Sequence, residues 1–108
     1  MSKTEIESGK TIAIVSYILI IGVPIAMSMN GEHKNKFARF HIRQSLGLSI
    51  TFISVGLLLS NFNAIQATFA FWIGISVLWT FGIFTAIKGQ TLPLPLVGKL
   101  FQKLFKSI

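Results

Sequence analysis

Gln44–Ile87, QSLGLSITFISVGLLLSNFNAIQATFAFWIGISVLWTFGIFTAI, is a run of forty-four residues without one charged side chain. As a single helix it would extend roughly 66 Å, about twice the hydrocarbon thickness of a bilayer. The run must therefore fold back on itself. Asn61-Phe62-Asn63 is the place, because two Asn interrupt the apolar sequence and favour turn geometry. The stretch reads as two membrane spans, about 44–60 and 66–87, joined by an uncharged turn.

Working outward, Thr11–Met29 (TIAIVSYILIIGVPIAMSM) is nearly all apolar, and residues 11–31 carry no charge. Nineteen residues reach roughly 28 Å as a helix, close to the hydrocarbon thickness. This predicts a further span at about 11–29. A retained anchor is expected in preference to a cleaved secretory signal, because the apolar run is long and Ala26-Met27-Ser28 is only a fair cleavage site. Pro24 is expected to kink that span. Composition agrees with a bilayer setting. Of 108 residues, 52% are hydrophobic and only 12% charged, against about 25% charged in soluble domains. A chain this short cannot hide so much apolar area in its own core. The expected fold is all-α: one membrane domain, residues 1–108, with three transmembrane helices and basic interfacial amphipathic helices at about 35–43 and 96–107.

The sparse charge is lopsided, with ten Lys or Arg against three Glu. The basic residues border apolar segments, so anionic lipid explains them better than nucleic acid does. With three spans, the 30–43 loop and the C-terminal tail share one face, which collects Lys34, Lys36, Arg39, Arg43, Lys88, Lys99, Lys103 and Lys106. The opposite face keeps only Lys3 and Lys10. The positive-inside rule then predicts a multi-pass cytoplasmic-membrane protein, N-terminus outside and C-terminus cytoplasmic. In the tail, Val97, Leu100, Phe101, Leu104, Phe105 and Ile108 form an apolar helical stripe opposite Lys99, Gln102, Lys103 and Lys106. Lys36, Lys88, Lys99, Lys103 and Lys106 are the expected contacts to lipid headgroups.

Little in the sequence points to catalysis. There is no Asp or Cys, and no Glu lies within a span. Two His without Cys make a structural zinc site improbable, and no phosphate-binding glycine loop or nucleophile elbow occurs. No enzyme activity, catalytic residue, cofactor or metal is expected. Small residues four apart, Gly22 with Ala26, Ala70 with Gly74, and Gly82 with Ala86, suit close helix packing and a protein partner or homo-oligomer. The main polar candidate is His41. On a helix, Phe37, His41, Gln44 and Leu48 share one side, flanked by Arg39 and Arg43. Two environments fit it: a buried cluster bonding Gln44 or a tail carbonyl, or a solvated position among headgroups.

The order GKTIAIVSYILIIG, NKFARFHIRQSLGL, a hydrophobic hairpin and AIKGQTLPLPLVGKLF resembles small bacterial membrane proteins of the Tic-twenty-like family. That family is related to the chloroplast inner-envelope protein-import component. The likeness rests chiefly on Phe37, Ala38, His41, Gln44 and Leu46, then on Ala86, Lys88, Gly89, Pro93, Pro95 and Gly98. It implies an all-helical protein of the bacterial cytoplasmic membrane. Phe37, Arg39, His41, Arg43 and Gln44 would be its motif cluster. The resemblance implies a translocation or transport assembly as one role; the residues themselves favour an accessory subunit acting through helix packing and lipid contacts.

Overall fold

The computed structural model describes residues 3–18, 21–94 and 97–106, with only the backbone described at residues 32 and 33. Their regular structure is entirely helical: α1 (Lys3–Ser16), α2 (Gly22–His33), α3 (Lys36–Ser60), α4 (Ile65–Ile87) and α5 (Gly98–Leu104). The molecule is elongated, 48 × 22 × 22 Å. Of the sequence expectations, those on Leu96, Ser107 and Ile108 in the tail, and on Pro95, lie outside the described residues, as do Leu19 and Ile20.

The hairpin α3–α4 forms as its sequence requires. Both helices are long and apolar enough to cross a membrane. Asn61 closes α3, its backbone N–H bonding Leu58 O and Leu59 O while its side chain reaches Leu57 O at 3.1 Å. Helix α3 runs unbroken from Lys36, so residues 36–43 are its first two turns and no bend divides them from the span. Their inward face is core: Phe37, Ala38, His41 and Ile42 are buried.

Among the described residues two helices, not three, have the length of a span. The expected span at 11–29 is divided between α1 and α2, which are too short and run in opposite directions. Glu5 and Ser8 at the start of α1 and Asn30 near the end of α2 all bond Asn35. Three contacts end α1. The Tyr17 side chain turns sideways into α3. The Tyr17 carbonyl, which a continuing helix would bond to the N–H of residue 21, accepts Trp79 Nε1–H at 2.7 Å. Gly22 then approaches so closely that a Cβ there would collide with the Val15 carbonyl oxygen. Pro24 falls in the first turn of α2, where its missing N–H has no helical acceptor to lose. It starts a helix rather than kinking one.

The α1–α2 pair packs against only part of the hairpin. Tyr17 meets α3 at His41 and Gln44 and α4 at Trp79 and Gly82. Beyond that level α3 and α4 pair with each other among the described residues, and Ile53, Leu57, Leu58, Phe62, Ile65 and Phe69 are exposed. At the other end, the core joins Ala13, Tyr17, Phe37, Leu48, Ala86, Leu94 and Phe101. Helix α5 closes this end. Phe101 lies on the bare backbone of Gly47, where any Cβ would strike its ring, and Gln102 Nε2 bonds Phe40 O at 2.7 Å. Of the expected tail stripe, Phe101 is buried, while Leu100 and Leu104 face outward.

Residues 3–10 and 98–106 therefore share one end of the bundle, where the sequence reading had placed them on opposite faces. Lys3 and Lys10 join Lys34, Lys36, Arg39, Arg43, Lys88, Lys99, Lys103 and Lys106 there. All ten basic residues of the chain lie at the α1–α2–α5 end. We call this end the head.

Candidate functional site

The head is tied together by two polar assemblies. At its rim, Asn35 links three helices. Its Oδ1 accepts from Ala38 N at 3.0 Å, the capping bond that lets α3 begin. Its Nδ2 donates to Glu5 O at 2.8 Å and Ser8 Oγ at 3.0 Å on α1. Its main chain pairs with the Asn30 side chain of α2, through N–H to Oδ1 at 2.9 Å and O from Nδ2 at 3.2 Å. Gly9 makes room, since a Cβ there would overlap the Asn35 amide.

The second assembly is centred on His41, which has no solvent exposure. Its Nε2 lies 2.8 Å from the Gln90 carbonyl and its Nδ1 2.8 Å from the Tyr17 hydroxyl. A carbonyl only accepts, so Nε2 carries the ring proton, and Nδ1 of the neutral ring accepts from Tyr17. Tyr17 in turn accepts from Gln44 Nε2 at 3.0 Å, and Gln44 Oε1 accepts from Leu94 N at 2.7 Å. The bonds run in one direction, from Gln44 through Tyr17 and His41 to the Gln90 carbonyl. Phe37, Phe40 and Tyr17 surround the imidazole edge-on, with ring centroids 4.8, 5.2 and 5.6 Å away. The dry, aromatic wall keeps water out, so each bond is costly to lose.

Local sequence explains how the partners arrive. Phe37, His41 and Gln44 share a face of α3 by helical spacing. Gln90 is aimed by Gly89, whose φ of +74° is left-handed and ends α4 with Gln90 N bonded to Thr85 O at 2.8 Å. Lys10 and Ile6 of α1 close over Gly89. The assembly thus locks α1, α3 and the segment following α4 to one another. The polar atoms of the assembly bond one another: the Tyr17 hydroxyl, the only one beside the imidazole in this chain of bonds, is engaged by both His41 and Gln44.

The residues singled out in the sequence divide between this assembly and the surface. Phe37, His41 and Gln44 come together; Gln44 reaches His41 through Tyr17, and the tail carbonyl is that of Gln90. His41 is the buried hub, not a headgroup residue. Arg43 points away, its guanidinium donating to Lys106 O at 2.7 Å and reaching Gln102 Oε1 at 3.5 Å on the α5 side. Arg39 joins neither group. Lys36, Lys88, Lys99, Lys103 and Lys106 are exposed, and Lys88 Nζ lies 4.6 Å over the Phe84 ring. Gly22, Ala26, Gly82 and Ala86 are buried within the chain, Gly82 against the Tyr17 ring. Gly74 faces open space. Asn30, Asn35 and Gln90 carried no sequence signal of this role, because each acts through contacts made only in the folded chain.

Above the head, α1 and α2 leave a cleft of about 750 Å³ against the hairpin, lined by Tyr17, Ile21, Phe52, Trp72, Trp79 and Ile83 among others. Phe52 meets Trp72 and Trp79 edge-on at 5.4 and 6.3 Å. The cleft is apolar apart from Ser76, whose hydroxyl is taken up by Trp72 O at 2.7 Å. No family model, no curated protein and no solved structure matches the chain.

Proposed function

We propose that this chain is a non-enzymatic integral membrane protein, an accessory or interaction subunit whose hairpin α3–α4 crosses the bilayer and whose head rests on the anionic cytoplasmic leaflet. The observation that carries the reading is the separation of charge. Every Lys and Arg is at the head, and residues 44–87 bear no ionisable side chain. Apolar hairpin faces such as Ile53, Leu57, Ile73 and Val77 are exposed, which suits lipid and helix partners. The positive-inside rule then favours both chain ends on the cytoplasmic side, with α1–α2 entering from that side and returning to it. Gly74 is the small residue left open to a partner helix or a second copy. A polar translocation pathway, the other role that the Tic-twenty-like resemblance suggests, would have to be lined without charge, since residues 44–87 carry hydroxyls, amides and indole N–H groups but no charged side chain.

The test exploits the absence of Cys in the chain. Single Cys at positions 3–10, 61–64 and 98–106 are labelled in intact cells with an impermeant thiol reagent. Positions 61–64 should react directly, and the two head segments only after permeabilisation. Reaction of residues 3–10 from outside, with 98–106 protected, would overturn the placement. The mass of the protein extracted in mild detergent tests the subunit role, and a monomer without partners would refute it.

A further inference from the structure

A second, smaller cleft of about 260 Å³ opens at the head between α2 and α3, lined by Met27, Asn30, Gly31, Lys34, Arg39 and Ile42. Two of these, Lys34 and Arg39, are cations, and among the described side chains no anion pairs with either. Arg39 sits one helical turn before Arg43, a like-charge spacing that is unfavourable in itself. The Arg43 guanidinium is engaged with α5. Arg39, half-buried, makes no hydrogen bond or ion pair with another described side chain or backbone group, so its five N–H donors have no acceptor among them. Lys34 likewise has no partner for its ammonium among the described residues.

The backbone around Lys34 points the same way. Lys34 ends α2 at φ 50°, ψ 38°, the left-handed conformation that helices normally assign to Gly or Asn. A β-carbon is unfavourable there, yet the chain has Lys, and the turn sets that residue on the cleft wall with Arg39. The Asn30 amide has committed one N–H to Asn35 O and retains a second. Gly31 leaves the wall low, since nothing lies within 4 Å of where its Cβ would be. Met27 and Ile42 add an apolar border.

We infer that this cleft binds a phosphate group, held by the Arg39 guanidinium and the Lys34 ammonium, with the apolar border suited to the glycerol and first methylenes of an anionic lipid. Guanidinium matches phosphate bidentately, and an ammonium adds a point charge. The inference rests on the head facing an anionic leaflet when the phosphate belongs to a lipid; a free phosphate would need only the cleft.

The full chain in neutral detergent is titrated with short-chain phosphatidic acid, with inorganic phosphate, and with phosphatidylcholine of the same chain length, binding being read by native mass spectrometry and thermal shift. Arg39→Gln and Lys34→Gly should each weaken phosphatidic acid binding about tenfold or more, whereas Lys99→Gln, at an exposed position of α5, should change it less than twofold. Lys34→Gly should melt no lower than wild type, because glycine relieves the left-handed residue. Gly31→Leu keeps both cations and its Cβ would meet nothing within 4 Å, so its loss of binding would locate the ligand in the cleft. Competition by inorganic phosphate assigns a free-phosphate site; binding of phosphatidic acid without such competition assigns a headgroup. Wild-type affinity in Arg39→Gln and Gly31→Leu, or an equal loss in Lys99→Gln, would overturn the site. Thiol labelling of the same preparations separates the two proposals: a reversed pattern with intact phosphate binding defeats only the membrane placement.

Discussion

Removing one oxygen atom tests whether the head is held by the chain of bonds through His41. Tyr17→Phe keeps the ring that fills the space beside Gly82, and it keeps the backbone carbonyl that Trp79 bonds. It deletes the hydroxyl that donates to His41 Nδ1 at 2.8 Å and accepts from Gln44 Nε2 at 3.0 Å. Two polar atoms of residues with no exposure are then orphaned. Hydrogen bonds between membrane helices average about 0.6 kcal/mol when each is removed, because the unfolded chain finds other partners. A buried donor or acceptor left unpaired costs about 1–3 kcal/mol. The dry aromatic wall around His41 favours the second regime, so the pair should cost about 2 kcal/mol or more. That is at least a roughly 30-fold shift in the folding equilibrium, a large share of a typical 5–15 kcal/mol. Far-UV circular dichroism across a dodecyl sulfate titration in mixed micelles measures it. A loss below about 0.5 kcal/mol would refute a sequestered network, because exposed hydroxyls are replaced by water at little cost.

Further substitutions probe the other contacts. Gly82→Ala would set a Cβ 2.5 Å from Tyr17 Cε1 and should destabilise by about 1–3 kcal/mol in the same titration. Gly74→Ala meets open space and should instead stabilise by about 0.5–1 kcal/mol through helix propensity. Gly47→Ala should dislodge Phe101, made visible as faster proteolysis within 98–106 while α3 and α4 stay helical. Asn35→Ala should lose about 1–2 kcal/mol with the cap of α3. Asn35→Asp keeps the capping oxygen but not the amide donor to Glu5 O and Ser8 Oγ, so comparing the two separates the cap from the tie to α1.

What could be read from the sequence follows from the range over which each feature is encoded. The hairpin was legible because its determinants are local: an apolar run too long for one crossing and two Asn at its middle. The Phe37–His41–Gln44 face was legible for the same reason, being a matter of helical spacing. The division of 11–29 was not. Hydropathy is the same for a helix that crosses and for two that turn back at half depth. The deciding partners are remote: Trp79, which takes the Tyr17 carbonyl, lies 62 positions away in sequence. Pro24 shows the ambiguity at a single residue, since a proline reads as a kink within a helix or as its first turn. Tyr17 and Gln90 reach His41 across sequence separations of 24 and 49, which no local pattern records.

The gathering of every cation at one end also bears on how such a chain enters a membrane. With the hairpin crossing as proposed, the only segment carried through the bilayer is the connection around 61–64, which holds two Asn side chains and no charge. An elementary charge moved across a membrane exchanges about 2.3 kcal/mol with each 100 mV of potential. Here nothing charged is moved, so the voltage neither drives nor opposes insertion. The two helices can enter together as a preformed pair, in de-energised vesicles as readily as in respiring cells. The residues that would have had to pay an electrical toll are the ones that stay behind and moor the head.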